Sequence, residues 1–92
     1  MPDLRVRLII EGRVQGVWFR DSTRRKALEL GVRGWVKNRI DRSVEVLAEG
    51  PEEGVLKLIE YCHHGPPYAD VRSVKETREE YKGEFDTFDI VF

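Results

Sequence analysis

Between a strand-like run and a helix-like run the chain reads Gly12-Arg13-Val14-Gln15-Gly16-Val17-Trp18-Phe19-Arg20. Glycines at positions 12 and 16 let the backbone between them turn with its N–H groups facing inward, because glycine alone takes positive φ without strain. Such a loop can hold an anion. A helix opening directly after it adds unpaired N–H groups and the positive end of the helix dipole to the same concavity. Arg20, at the junction, brings a planar fork of donors that fits phosphate or carboxylate oxygens better than a lysine point charge. Taken alone, the stretch also reads as a strand-to-helix connector with a surface arginine, so the elements around it must decide.

Those elements follow from hydrophobic spacing. Leu4, Val6, Leu8 and Ile10 alternate, the period of a strand with one buried face. Phe19, Thr23, Ala27 and Leu30 fall at helical spacing, and Gly31 supplies a natural stop. Residues 32–39 read as a second strand and residues 43–49, with Val44, Val46 and Ala48 on one face, as a third. The short polar connection Ile40-Asp41-Arg42 pairs them as a hairpin. Gly50-Pro51-Glu52-Glu53 starts a second helix, whose stripe is Val55, Leu58, Ile59 and Cys62 and whose end is near Gly65. Residues 69–76 form a fourth strand, Glu79 to Glu84 a polar turn, and Phe88, Ile90 and Phe92 share one face of a closing strand.

Strand, helix, strand, strand, helix, strand is the split βαβ pattern of a ferredoxin-like α+β sandwich, an antiparallel sheet with two helices on one face. In that topology the loop and Arg20 lie at the end of the first strand. The second strand runs parallel to the first, one strand removed, so its far end, with Asn38 and Arg39, comes near the same concavity.

Ninety-two residues suit one domain with one core, so residues 1–92 are read as a single unit. Sixteen basic residues stand against 17 acidic ones, which excludes whole-chain attraction to nucleic acid or membrane and makes any anion site local. Cys62 is the only cysteine, which rules out an intrachain disulfide and a multi-cysteine metal site. No apolar run approaches the roughly 18 residues needed to span a bilayer, and residues 1–5 lack an apolar signal core. A soluble, cytoplasmic protein is the expectation.

GRVQGVWFR and the later Gly34-Trp35-Val36-Lys37-Asn38 together resemble the two signature segments of the acylphosphatases. The resemblance spans nearly the whole chain, including Tyr68-Ala69-Asp70-Val71 and Gly83-Glu84-Phe85. It implies the same ferredoxin-like sandwich and a metal-independent hydrolase, without organic cofactor, that cleaves the carboxyl–phosphate bond of a small acyl phosphate. It further implies that backbone N–H groups of Gly12, Arg13, Val14, Gln15, Gly16 and Val17 cradle the phosphoryl oxygens. Arg20 would bind the same group, and Asn38 would orient the attacking water. A monomer, with neither nucleic acid nor membrane as partner, is expected. One position departs from the pattern: the residue four after Asn38 is usually glycine and here is Arg42. If it takes positive φ, it costs on the order of 1 kcal/mol.

The chemistry of the residues agrees. An acyl phosphate has a carboxylate leaving group that needs little protonation, so no strong general acid is required. Phosphoryl transfer depends mostly on positioning and on neutralising charge over the equatorial oxygens. A nest of N–H donors with one guanidinium can supply that neutralisation. Other residues read more plainly. His63 and His64 are adjacent, hence about 100° apart on a helix and poor partners for one metal. Cys62 falls on an apolar stripe, Arg24, Arg25 and Lys26 on a solvated face, and Trp18 and Trp35 either at the mouth of an acyl pocket or packed against the sheet. An RNA-binding module shares this sandwich but stacks bases on aromatics of its first and third strands, and residues 4–11 and 43–49 contain none.

Overall fold

A computed structural model describes residues 2–92. The elements run β1 (Asp3–Arg13), α1 (Phe19–Leu30), β2 (Arg33–Asn38), β3 (Val44–Pro51), α2 (Glu52–His64), β4 (Asp70–Glu79) and β5 (Phe88–Ile90). The sheet order is β4-β1-β3-β2-β5. As the split βαβ pattern requires, β3 lies between β1 and β2, and β1 lies between β3 and β4, all pairing antiparallel. The closing segment adds what the six-element pattern omits. It pairs parallel to β2, Gly34 with Phe88 and Val36 with Ile90, so the five-stranded sheet is mixed.

Alternation decides which face the helices cover. Val6, Leu8 and Ile10 of β1, Val44, Val46 and Ala48 of β3, Val36 of β2 and Phe88 of β5 are fully buried and pack with Phe19 and Ala27 of α1 and Val55, Leu58 and Cys62 of α2. Gly54 lets α2 approach α1 closely, since a Cβ there would lie 2.7 Å from the Leu30 carbonyl oxygen. Gly31 ends α1 in the left-handed region, φ 71°, with its N–H turned back on the last carbonyls.

The opposite face of the sheet is ionic. Arg5 pairs with Glu49 at 3.2 Å and with Glu79 at 3.0 Å, and Arg7 pairs with Glu79 at 2.9 Å and also with Glu45. Glu79 therefore lies at the end of β4 as a bridge between two arginines and not in a polar turn. Nor are residues 80–87 a simple turn. With β4 and β5 on opposite edges, the chain must cross about 19 Å of sheet, four strand spacings. The crossing is pinned at its middle. Glu49 accepts hydrogen bonds from the backbone N–H groups of Lys82 (3.4 Å), Gly83 (3.3 Å) and Glu84 (2.7 Å). Trp35 lies on this ionic face, with the Arg7 guanidinium and the Lys37 ammonium over its ring, so it packs against the sheet and lines no pocket with Arg20.

Candidate active site

The ladder brings the two signature segments together. Ile10 of β1 faces Val44 of β3, and Val44 faces Asn38 of β2, so the ends of β1 and β2 stand in one row about 10 Å apart, two strand spacings. The loop leaving β1 therefore passes beside Asn38. Gln15 ties it there: its Nε2 donates to the carbonyls of Arg39 (2.9 Å) and Ser43 (3.0 Å), the two residues that close the β2–β3 hairpin. The hairpin is held in turn by the Arg39 N–H on the Ser43 carbonyl (2.8 Å) and the Arg42 N–H on the Arg39 carbonyl (3.1 Å). Arg42 takes φ 74°, the left-handed conformation that favours glycine. Asp41 accepts from the Ser43 hydroxyl and N–H, which hold its carboxyl below the ordinary value of 3.8.

The loop then turns into α1 through Trp18, a non-glycine residue at φ 67°. No side chain caps the helix, and the first N–H group spent on a backbone carbonyl is that of Ser22, on Trp18 (3.0 Å). Among the described residues, the N–H groups of positions 14 to 21 are given to no backbone carbonyl. These are the orphan donors of a helix start, extended backwards by a loop that makes no turn bonds of its own.

A hollow of about 350 Å³ opens at this point, lined by Val14, Gly16, Trp18, Phe19, Arg20, Asp21, Asn38, Ile90 and Phe92. Arg20 forms no ion pair among the described residues; its guanidinium carbon lies 5.4 Å from the centre of the Phe92 ring. That sets it apart from Arg5 and Arg7, which are paired with carboxylates. Asp21, the one acidic side chain in the lining, is drawn to Arg25 at 3.1 Å. Asn38 contributes a buried Oδ1 with no hydrogen-bond partner. An unmet buried acceptor costs about 1–3 kcal/mol, the kind of local expense that concentrates where a site must receive something.

The structure thus brings Arg20, Asn38, Val14 and Gly16 into one hollow. Gln15 and Val17 stand behind it, Gln15 bracing the hairpin and Val17 buried in the core. Gly12 and Arg13 are elsewhere: they end β1 and line a separate hollow with Glu11, Arg72 and Ser73. Gly12 has its own reason to be glycine, because at φ 129° a Cβ would lie 2.2 Å from the Asp70 carbonyl oxygen of β4. Trp18, Ile90 and Phe92 complete the lining; residues 90 and 92 reach it only through the β5–β2 pairing, which spacing along the chain does not disclose. A hollow of about 430 Å³ at the other end of the molecule carries Glu29, Glu52 and Glu53, carboxylates that repel an anion. Cys62 is buried, which pushes its thiol up to about 12, far from any nucleophilic role at neutral pH.

The comparisons with known proteins agree with the geometry. The chain is 47% identical over 92 residues to the acylphosphatase of Pelotomaculum thermopropionicum, covering 100% of both chains. It is 53% identical to that of Pyrobaculum arsenaticum, covering 99% of this chain and 97% of the relative. The fold superposes on the crystal structure of acylphosphatase from Bacillus subtilis with a TM-score of 0.93 at 39% identity, over 97% of this chain and 99% of that one. The sequence model described as Acylphosphatase matches residues 6–90, and the chain accordingly belongs to the acylphosphatase family of hydrolases.

Proposed function

We propose that this hollow hydrolyses the carboxyl–phosphate bond of a small acyl phosphate, with Arg20 and the main-chain donors after β1 holding the phosphoryl group and Asn38 directing the water. The observation that carries this reading is the meeting, in one hollow, of an arginine without a carboxylate partner and a buried amide oxygen without a donor.

Each part has a task it can perform. The guanidinium offers two parallel N–H groups to two phosphoryl oxygens, and the donors of residues 14 to 21 supply further positive potential at the helix start. Together they neutralise charge that grows on the equatorial oxygens as the P–O bond to the acyl group lengthens. Asn38 Oδ1 accepts one O–H of the water, which leaves the water's lone pair free to face phosphorus. The water oxygen bonds to phosphorus as the bond to the carboxyl oxygen breaks. A phosphoryl oxygen takes the water's proton and the carboxylate leaves with the electron pair. No side chain has to act as a strong acid or base, and Asp21, engaged by Arg25, is not needed.

The same reading covers residues 1–92 as a single domain and a cytoplasmic monomer acting without a metal or organic cofactor. One contiguous core of both helices and the sheet supports the first point. The ionic face, its arginines already paired with glutamates, supports the exclusion of nucleic acid. No helix among the described residues is long and apolar enough to cross a membrane.

The test is steady-state hydrolysis of benzoyl phosphate in EDTA by the native protein and by Arg20→Lys, with inorganic phosphate as inhibitor. Arg20→Lys keeps the charge and loses the fork. It should lower kcat/KM by about 100-fold and weaken phosphate inhibition. Native turnover from Arg20→Lys, or no native turnover at all, would overturn the assignment.

A further inference from the structure

Resting on the reading above, we infer that Tyr61 of α2 is a positioning residue for phosphate binding. Its hydroxyl, bonded to Ser22, seats the first turn of α1, the turn that carries Arg20. Tyr61 lies outside the hollow, and among the described residues no residue of α2 lines it.

The first turn of α1 needs support from elsewhere in the fold. A helix start holds an anion only while its donors stay aimed, and this one has little of its own to aim them. No side chain caps it, and the chain enters through Trp18 at φ 67°. The N–H groups of positions 14 to 21 make no bond to a backbone carbonyl that would fix the loop.

The last turn of α2 supplies what is missing. The hydroxyls of Tyr61 and Ser22 share a hydrogen bond of 2.6 Å, which either can donate. Ser22 is also where the free donors stop, since its N–H is the first given to a backbone carbonyl, that of Trp18 at 3.0 Å. The bond therefore grips the helix at the boundary between its free and its closed donors. Tyr61 is itself fixed. The Gly65 N–H donates to its carbonyl at 2.8 Å, and the Lys26 ammonium, one turn beyond Ser22, lies 5.9 Å from the centre of its ring.

Gly65 completes the seat by receiving the ring of Phe19, the first residue of α1 and a lining residue of the hollow. A Cβ at position 65 would lie 2.6 Å from that ring. Apolar packing of this kind brings the two helices together without direction, whereas a hydrogen bond has a preferred angle. Arg20 precedes Ser22 by two residues, about 200° round the helix. Ser22 thus faces α2 while Arg20 faces the hollow, and a roll of α1 on its seat swings the guanidinium and the free donors together.

The experiment measures kcat, KM and inhibition by inorganic phosphate for benzoyl phosphate hydrolysis, well below each Tm, in the native protein, Tyr61→Phe, Ser22→Ala, the double variant and Ser22→Thr. Tyr61→Phe removes one oxygen and keeps the ring. The phosphate inhibition constant should rise about three- to tenfold in Tyr61→Phe and in Ser22→Ala, with a matching fall in kcat/KM. The double variant should be no worse than either single one, because both remove the same bond. Ser22→Thr, which keeps a hydroxyl, should restore native inhibition. A purely structural bond would lower Tm and leave the inhibition constant native. That result, additive effects in the double variant, or no rescue by Ser22→Thr overturns the inference while the phosphatase reading stands. Should Tyr61→Phe fail to fold, Ser22→Ala against Ser22→Thr decides by the same constant. Absence of hydrolysis by the native protein overturns both.

Discussion

The side-chain amide of Gln15 donates to the carbonyl of Arg39 at 2.9 Å, and so joins the loop after β1 to the hairpin whose first strand ends in Asn38. Two parts of the proposed site, on separate elements, are thereby held in one frame. The relationship predicts that Gln15→Ala, which removes the tie without touching Arg20 or Asn38, lowers kcat for benzoyl phosphate by about tenfold, the scale of a loss of positioning. Inhibition by inorganic phosphate should change less. Equal changes in kcat and phosphate inhibition would assign Gln15 to phosphate binding itself.

Arg42 at φ 74° gives a stability prediction. The left-handed state costs a non-glycine residue about 1–2 kcal/mol. Glycine gives back about 0.5–1 kcal/mol through its freer unfolded chain. Arg42→Gly should therefore gain about 0.5–1 kcal/mol, a Tm rise of about 2–8 °C. Arg42→Ala, which keeps the Cβ, should not raise Tm. A lower Tm for Arg42→Gly in a thermal melt would show that the arginine side chain contributes more than the backbone loses.

The ionic face sets the acid limit. For Glu49, burial pushes the carboxyl up, and the N–H groups of Glu84, Lys82 and Gly83 together with Arg5 outweigh it, so the net position is below the ordinary 4.5. The Arg7 and Arg5 guanidiniums draw Glu79 below the same value. A carboxyl depressed in the folded state adds stability that is present above its unfolded value and is lost as pH falls through the lower folded one. Stability should thus decline from about pH 4.5 downward. Glu49→Gln should cost about 1.5–3 kcal/mol at neutral pH, since it weakens the charged hydrogen bonds that Glu49 accepts while Arg5 keeps Glu79 and Glu84. It should also flatten the acid limb in denaturant melts across pH. An unchanged acid limb would remove Glu49 from this role.

Much of the fold was legible because its causes are local. The alternation at Val6, Leu8 and Ile10 is the buried face of β1, and the stripe Val55, Leu58, Ile59, Cys62 is the buried stripe of α2. That Arg20 and Asn38 line one hollow was legible because loop chemistry and topology point to the same end of the sheet. The path of residues 80–87 was not. Its polar composition reads as a turn, while its course is set by the separation of β4 and β5 on opposite edges and by the Glu49 carboxylate. For the same reason the arrival of Ile90 and Phe92 at the hollow could not be read from spacing. Gly12, read from the sequence as a cradle residue, has a second reason to be glycine that spacing does not disclose, the close approach of the Asp70 carbonyl of β4.

The division of labour between Arg20 and Asn38 is tested most directly by Asn38→Ala in steady-state hydrolysis of benzoyl phosphate with EDTA, measured alongside inhibition by inorganic phosphate. Loss of the buried Oδ1 should lower kcat by about 100-fold and shift phosphate inhibition by less than about threefold, because Arg20 and the main-chain donors remain. A fully active Asn38→Ala, or one that loses phosphate binding in step with kcat, would contradict the account.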